Sequence, residues 1–227
     1  MKGRIVQSQG GITLVGGAPV SPALFRMAIQ RAPRIVAADG GADRCLAHGA
    51  QPEAVIGDMD SVSPRARSVI GPERFHLIAE QDSTDFDKAL RSISAPLIIG
   101  IGFLGGQVDH LLAAMTVLAR YPDRAIVLVG QHDVVAHLPP QIDLPLSAGT
   151  RVSLYPMRPV RGMSTGLHWP IDGLELSPGG RVGTSNKADG PISLVVEGTG
   201  LLIILPVSEW RALQHALLQA DGLWPAL

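Results

Sequence analysis

The sequence has few of the residues that mark several common protein classes. Its 227 residues include a single cysteine, Cys45, so the chain cannot form an internal disulfide or a zinc site made of several thiolates. Aromatic residues make up only 4%, and 19 basic against 20 acidic residues leave a formal net charge of -1. That balance argues against nucleic acid or an anionic membrane as the main partner. No apolar run approaches the roughly 18 residues of a membrane span.

The N-terminus also lacks the apolar segment and small-residue cleavage site of a secretory signal. It reads Met1-Lys2-Gly3-Arg4 and soon becomes polar. Together with the lone cysteine, this predicts a cytoplasmic protein that is not exported. Apolar residues make up 46% of the chain, which is enough to bury one large core or two small ones without covalent cross-links.

In the first half of the chain, short aliphatic runs alternate with helical segments. This alternation predicts an open parallel sheet with flanking helices, a Rossmann-like nucleotide-binding domain. The clearest helix has apolar residues every three or four positions, and Thr84 and Asp87 are spaced as a capping box at its start. The expected strands are residues 12–15, 34–38, 54–56, 75–78, 96–101 and 125–129, and the expected helices are residues 21–32, 42–48, 64–70, 84–93 and 109–121.

After about Asp133, proline and glycine interrupt the chain too often for helices of ordinary length. We expect strands at residues 150–155, 192–197 and 201–205, a turn at Pro178-Gly179-Gly180 and a helix at residues 208–220. The pattern predicts a smaller all-β sandwich. The chain therefore divides into an α/β domain over residues 1–132 and a β-sandwich domain over residues 133–227 with a helical tail.

Aspartates cluster just beyond the predicted strands of the first half. Because the carboxyl ends of parallel strands share one edge of a sheet, where ligands bind in such folds, these side chains should converge. Several carboxylates in one cleft repel each other unless a cation lies among them, and oxygen ligands suit Mg²⁺ or Ca²⁺ with room for phosphates. Each acid taken singly could equally be a helix cap. The acids concerned are Asp39, Asp58, Asp60, Asp82, Asp85 and Asp109.

Glycine pairs accompany these acids, and glycine lets backbone N–H groups come close to an anion. None of the glycines belongs to a Walker loop or to a dinucleotide fingerprint, so neither of those phosphate sites is present. The pairs are Gly16-Gly17, Gly40-Gly41 and Gly105-Gly106.

Five short motifs, in this order and spacing, resemble the thiamine pyrophosphokinase family. The similarity extends over roughly residues 11–205, through both halves of the chain. The motifs are Asp39-Gly40-Gly41-Ala42, Gly57-Asp58-Met59-Asp60-Ser61, Gln81-Asp82-Ser83-Thr84-Asp85-Phe86, Gly105-Gly106-Gln107-Val108-Asp109-His110 and Thr184-Ser185-Asn186.

The resemblance implies an enzyme that transfers diphosphate from ATP to the hydroxyl of thiamine, giving thiamine diphosphate and AMP. It implies Mg²⁺ held by Asp58, Asp60 and Asp85, which are also the expected catalytic residues. It implies a homodimer in which the β-domain of the other subunit completes the thiamine site, with Trp169, Ser185 and Asn186 as the matching residues. The implied nucleotide and diphosphate site comprises Asp39, Gly40, Gly41, Ser61, Gln81, Asp82, Thr84, Asp109 and His110.

Two departures from the family pattern stand out. The family usually has arginine where Gln107 stands, and glutamine offers no charged fork to phosphate. Arg44, Lys88 or Arg181 could supply the missing charge. The helical tail also extends past the point where the family pattern usually ends.

Other functions remain open on the sequence alone. One is diphosphate transfer to another small alcohol, such as a hydroxymethyl-pterin, and another is a non-catalytic sensor of nucleotide or thiamine. The general base could be Asp82, Asp85 or a metal-bound hydroxide. The preferred triphosphate and the number of metal ions stay undecided. Cys45 is expected to be a buried, inert side chain.

Overall fold

The structure is a computed structural model that describes residues 4–226, so Met1-Lys2-Gly3, on which part of the export prediction rests, lies outside the described residues. The α-helices are α1 (Pro22–Arg31), α2 (Gly41–Ala47), α3 (Pro64–Val69), α4 (Asp85–Ser92), α5 (Val108–Leu118) and α6 (Trp210–Gln219), with 3₁₀ turns at Pro72–Arg74 and Val207–Glu209. The strands of the N-terminal half are β1 (Val6–Gln7), β2 (Ile12–Val15), β3 (Arg34–Ala38), β4 (Ala54–Gly57), β5 (Phe75–Leu77), β6 (Ile93–Ser94), β7 (Ile98–Ile101) and β8 (Ile126–Val129). The remaining strands are β9 (Asp133–His137), β10 (Gln141–Leu144), β11 (Arg151–Pro156), β12 (Val160–Leu167), β13 (Glu175–Leu176), β14 (Gly183–Val196) and β15 (Leu201–Pro206).

The described chain divides into two compact units. The first comprises residues 4–117 and 128–131, and the second comprises residues 118–127 and 132–226. From residue 132 onwards the described chain belongs to the second unit alone. The second domain was predicted to begin at residue 133. Together the elements form a mixed α/β fold in which helices flank extensive sheet structure.

The first unit contains a parallel run of strands in the order β7-β2-β3-β4-β5. The strands lie where the aliphatic runs predict them, and β2 and β3 have the predicted bounds. All four residues of β2, β4 and β7 are buried, as expected for strands covered on both faces. The chain proceeds from β2 to β5 on one side and then returns to place β7 on the other side of β2. The carboxyl ends of β2 and β7 therefore form a topological switch point.

Helix α4 confirms the pattern read from the sequence. The Thr84 hydroxyl accepts a hydrogen bond from the Asp87 N–H at 3.3 Å, which caps the first turn. Phe86, Ala89 and Leu90 are buried against the sheet. The cap fixes where the helix begins and therefore places Asp85, its first residue, at the edge where the predicted acids meet.

The second unit is antiparallel, with neighbouring strands in the order β13-β12-β14-β11-β15-β9. The 14-residue β14 pairs with β11 through its first half and with β10 and β12 through its second half. One strand shared between two sets of partners is a common way to turn a corner between sheets. Strands β9, β10, β12 and β13 were not predicted.

The C-terminal segment is helical as predicted, and α6 packs against β10. Trp210, Leu213 and Leu217 are buried, whereas Leu218 is 38% exposed. Cys45 is fully buried, as predicted, and burial raises the pKa of its thiol to about 12, which disfavours the reactive thiolate. Among the described residues, no helix has both the length and the hydropathy that a membrane crossing requires.

Candidate active site

A cavity of about 520 Å³ opens in the first unit at the switch point between β2 and β7. Its floor is backbone: a Cβ added to Gly16 would come within 2.5 Å of the carbonyl oxygen of Gly102. Gly102 has a φ of 76°, a conformation that favours glycine. Phe86 and Phe103 also line the cavity, with ring centroids 4.3 Å apart. Glycine at both positions therefore lets the two loops pack closely against each other.

Acidic side chains meet on one side of this cavity, which Asp39, Asp58 and Asp85 line and Asp60 does not. Oxygens from Asp39, Asp58 and Asp60 all lie within 4.8 Å of one another. Asp85 joins them, since its Oδ1 accepts a hydrogen bond from the Asp58 N–H at 3.3 Å. The predicted convergence of acids from β3, β4 and α4 is therefore present in the structure.

Lys88 is the cation inside this acidic cluster. Its side chain is only 1% exposed, and its Nζ lies 2.9 Å from Asp58 Oδ2 and 3.0 Å from Asp85 Oδ1. Burial alone would lower the pKa of Lys88, but its bonds to both carboxylates raise it overall. The hydrogen bond from Lys88 in turn lowers the pKa of Asp58. The cluster is therefore partly neutralised from within and still carries more acids than bases.

Asp39 has the most unusual environment in the cluster. It is buried at a φ of 42°, a strained conformation for a residue with a side chain. Its Oδ2 accepts a hydrogen bond from the Ser61 N–H at 3.0 Å, while its buried Oδ1 has no partner among the described residues. Burial, together with the charges of Asp85 and Asp60, raises the pKa of Asp39 to about 6 despite the Ser61 bond.

The turn from Asp58 to Asp60 is tightly shaped. Met59 has a φ of 68°, and Asp58 Oδ1 accepts a hydrogen bond from the Asp60 N–H at 3.3 Å. Gln81 donates its Nε2 to Asp58 Oδ2 at 3.2 Å, and the Ser61 hydroxyl donates to Asp60 Oδ1 at 2.9 Å. The motif thus directs two carboxylates to one place at the expense of a strained residue between them.

The residues present fit a magnesium ion. Asp39, Asp58 and Asp60 offer oxygen ligands, the donor type that Mg²⁺ prefers. The buried Oδ1 of Asp39 has no partner among the described residues, and a bound cation would supply one. The third predicted ligand, Asp85, lies beside this set and is engaged with Lys88.

The other predicted nucleotide residues divide into two groups. Gly41, Asp82 and Asp109 do not line the cavity. Gly41 instead lets α2 approach β2, because an added Cβ would lie 1.9 Å from the Val15 carbonyl oxygen. Asp109 is largely exposed and accepts a hydrogen bond from the His110 N–H at 2.9 Å. The predicted residues that do line the cavity are Asp39, Gly40, Ser61, Gln81, Thr84 and His110.

Of the three candidates for the charge missing at Gln107, only Lys88 lines the cavity. Arg44 donates its Nε to the Gly17 carbonyl at 2.8 Å, and Arg181 belongs to the second unit. Gln107 itself lines the cavity without a charge. The cavity-lining role of Phe103 was not predicted, since an isolated phenylalanine in a glycine-rich loop carries no pattern in the sequence.

The second unit holds the three predicted thiamine residues in one place. Trp169 is 57% exposed on the bend after β12, and Asn186 is buried on β14. The two are joined by hydrogen bonds at 3.2 and 2.7 Å. Ser185 adopts a φ of 61°, and its N–H donates to the Ser153 hydroxyl at 3.0 Å. The Thr184-Ser185-Asn186 motif, which alone would suggest a polar turn, is part of a strand.

Known proteins that are similar to this chain point to one family. A family model described as the thiamin pyrophosphokinase catalytic domain matches residues 25–129. The chain is 30% identical over 191 residues to "Thiamine pyrophosphokinase 1" of Oryza sativa subsp. japonica, which covers 69% of this chain and 72% of that protein. The chain belongs to the thiamine pyrophosphokinase family. The family predicted from the five motifs is therefore confirmed.

Solved structures of thiamin pyrophosphokinases share the fold. The protein from Candida albicans superposes with a TM-score of 0.74 at 15% identity, covering 88% of this chain and 92% of that chain. The protein from Geobacillus thermodenitrificans gives a TM-score of 0.69 at 26% identity, covering 86% of this chain and 96% of that chain. The thiamine pyrophosphokinase fold thus extends over both units.

Proposed function

We propose that this chain is a thiamine diphosphokinase, an enzyme that transfers the terminal diphosphate of ATP to the hydroxyl of thiamine and releases AMP. The observation that carries the proposal is the acidic cluster with its buried lysine at the switch point, in a chain of this family. A protein that only bound nucleotide would have little need for so many acids in one cleft. Neither rival function is supported by the relatives.

The reaction chiefly requires positioning and positive charge. As the thiamine oxygen bonds to the β-phosphorus, the bond from that phosphorus to the AMP oxygen breaks, and charge shifts among phosphate oxygens. We place the nucleotide phosphates in the cavity, beside Gly40, Ser61 and Gln81. The loops of Gly16 and Gly102, which pack closely against each other, also line this cavity.

We propose that Asp58 and Asp60 hold Mg²⁺ together with Asp39 or Asp85. A bound Mg²⁺ supplies positive charge to the phosphate oxygens of the nucleotide. Lys88 keeps Asp58 ionised and fixes its direction, so the carboxylate is ready to bind a cation. The turn at Met59 aims Asp60 at the same point.

We propose that thiamine binds in the region of Trp169, Ser185 and Asn186. Thiamine is flat and cationic, so an exposed indole face suits it. By resemblance to the family, we also propose a cytoplasmic homodimer in which the β-domain of the other subunit completes each site. In the same proposal the first unit is Rossmann-like and the second is a β-sandwich.

A product assay tests the function. Purified protein with ATP, Mg²⁺ and thiamine should give AMP and thiamine diphosphate in equal amounts. The variants Asp58→Asn and Asp60→Asn should each lose at least about a hundredfold in rate, as expected when charge stabilisation is removed. Asp143→Asn, which changes an exposed acid on β10, is the matched control.

Two results would refute the proposal. Faster transfer to a hydroxymethyl-pterin than to thiamine would support the other diphosphokinase. Tight binding of thiamine and ATP with neither product formed would support the sensor.

A further inference from the structure

Trp169 is exposed, and two neighbouring side chains contact its indole ring. His168 meets the ring edge-on with centroids 4.6 Å apart, and Lys187 Nζ lies 5.9 Å from the ring centroid. The His168 ring is itself within 3.2 Å of both carboxylate oxygens of Asp189. The indole belongs to a bend outside the strands, so its main chain needs an anchor to keep one orientation.

Asn186 supplies that anchor. It is the only asparagine in the sequence and is 6% exposed. Its Oδ1 accepts a hydrogen bond from the Trp169 N–H at 3.2 Å, and its Nδ2 donates to the Trp169 carbonyl at 2.7 Å. One side-chain amide thus holds both polar groups of the Trp169 main chain.

The same amide has one hydrogen-bonding position left for a ligand, the second hydrogen on Nδ2. Oδ1 also accepts a hydrogen bond from the Lys187 N–H at 2.8 Å, which accounts for both acceptor positions of the oxygen. Asn186 is itself fixed, since it pairs with Val152 of β11. The His168 N–H donates to the Lys187 carbonyl at 2.9 Å, so the bend is tied to β14 at a further point.

We infer that Asn186 is a positioning residue for thiamine binding, which acts by holding the main chain of Trp169 and makes no contact with thiamine itself. The inference rests on the proposed function and deepens it. It assigns to the Asn186 amide a role different from that of Ser185, its neighbour in the motif. Thiamine affinity then depends on Asn186 only while the Trp169 indole is present.

A double-mutant cycle tests this dependence. Thiamine binding is measured by calorimetry for the wild type, Asn186→Ala, Trp169→Ala and the double variant. We expect Asn186→Ala to weaken binding roughly tenfold in the Trp169 protein and less than about twofold in the Trp169→Ala background, the non-additivity of residues that act together. Gln214→Ala, which removes another buried amide of the same unit, should leave thiamine affinity unchanged.

A second readout needs no ligand. The near-UV circular dichroism difference between wild type and Trp169→Ala reports the fixed environment of this indole. The near-UV spectrum of Asn186→Ala should therefore resemble that of Trp169→Ala, whereas the spectrum of Gln214→Ala should resemble that of the wild type. If Asn186→Ala does not fold, Asn186→Ser, which keeps a polar but shorter side chain, takes its place in both experiments.

The outcomes separate the possibilities. Equal losses of affinity in both backgrounds would show direct contact between Asn186 and thiamine and overturn the inference while leaving the proposed function intact. Unchanged affinity and an unchanged indole signal would also overturn it. No thiamine binding by the wild type would overturn the proposed function as well.

Discussion

Lys88 is the residue on which the charge balance of the acidic cluster depends. Replacing it by methionine, a side chain of similar length, removes the cation between Asp58 and Asp85. We expect a loss of about 3 kcal/mol in unfolding free energy, the lower end for removing one partner of a buried ion pair. The loss is no larger because Asp58 and Asp85 remain 14% and 29% exposed. Chemical denaturation measures it.

The effect of Mg²⁺ on the Tm should distinguish Lys88→Met from a variant that is destabilised for an unrelated reason. Without Lys88 the cluster is more negative, so added Mg²⁺ should raise the Tm of Lys88→Met by more than it raises that of the wild type. Arg161→Met breaks an exposed pair with Glu175 and serves as the control, with an expected change below about 1 kcal/mol. Equal magnesium responses in all three proteins would contradict the assignment of the cluster to a cation.

Lys187 is expected to weaken thiamine binding at the proposed site. Its ammonium lies over the Trp169 ring and competes with a cationic ligand for the same face. Lys187→Gln should therefore tighten thiamine binding by about twofold to fivefold, the equivalent of removing an exposed cation–π contact. Arg211→Gln removes a similar contact from the ring of Trp210 and should change nothing. Weaker binding by Lys187→Gln in a calorimetric titration would contradict this role.

At the scale of elements, local signals set how much of the fold could be predicted. The buried parallel strands and α4 follow from aliphatic runs and a capping threonine, which act over a few residues. Strands β9, β10 and β12 were missed, since antiparallel pairing depends on partners that are distant in the sequence. Gly166, for example, takes a φ of 77° and lies against the backbone of β14. The residues next to Gly166 in the sequence do not indicate this contact.

The candidate site could be predicted to a similar extent. That Asp39, Asp58 and Asp85 would meet follows from the shared edge of parallel strands. Which carboxylate would pair with Lys88 could not be predicted, because side-chain packing across α4 and β4 decides it. The anchor between Asn186 and Trp169 likewise depends on strand register in the second unit.

The end of β4 gives a testable element-level constraint. A Cβ on Gly57 would lie 2.9 Å from Asp39 Cβ and 2.9 Å from Asp85 Oδ1. Gly57→Ala should displace Asp85, reduce diphosphate transfer at least about tenfold and destabilise the fold by roughly 1–3 kcal/mol, as overpacking does. Gly198→Ala, which adds a methyl group where no atom lies within 4 Å, is the control. Full activity in Gly57→Ala would show that Asp85 does not need its present position.

The stability of the whole molecule should depend on pH through the buried side chain of His137. It is 5% exposed, and its Nε2 accepts a hydrogen bond from the Gly200 N–H at 2.7 Å, so the ring is neutral. Burial lowers the pKa of His137 to about 4. The unfolded chain therefore binds the extra proton first, and stability falls as pH drops from about 6.5 towards 4, by up to about 3 kcal/mol.

Denaturation midpoints of the wild type and His137→Gln, measured across this pH range, isolate the effect. Glutamine can still accept from the Gly200 N–H but does not titrate, so the variant should lose less stability on acidification. Parallel pH profiles for the two proteins would exclude His137 as the source of the acid sensitivity.

We propose that carboxylates from separate loops of the first unit share a divalent cation with the phosphates of the nucleotide. Anomalous diffraction from crystals grown with Mn²⁺ and a non-hydrolysable ATP analogue measures this directly. We predict a manganese peak bonded to Asp58, Asp60 and the phosphate oxygens of the analogue. Density for the analogue in the cavity with no manganese at these carboxylates would rule out a shared cation.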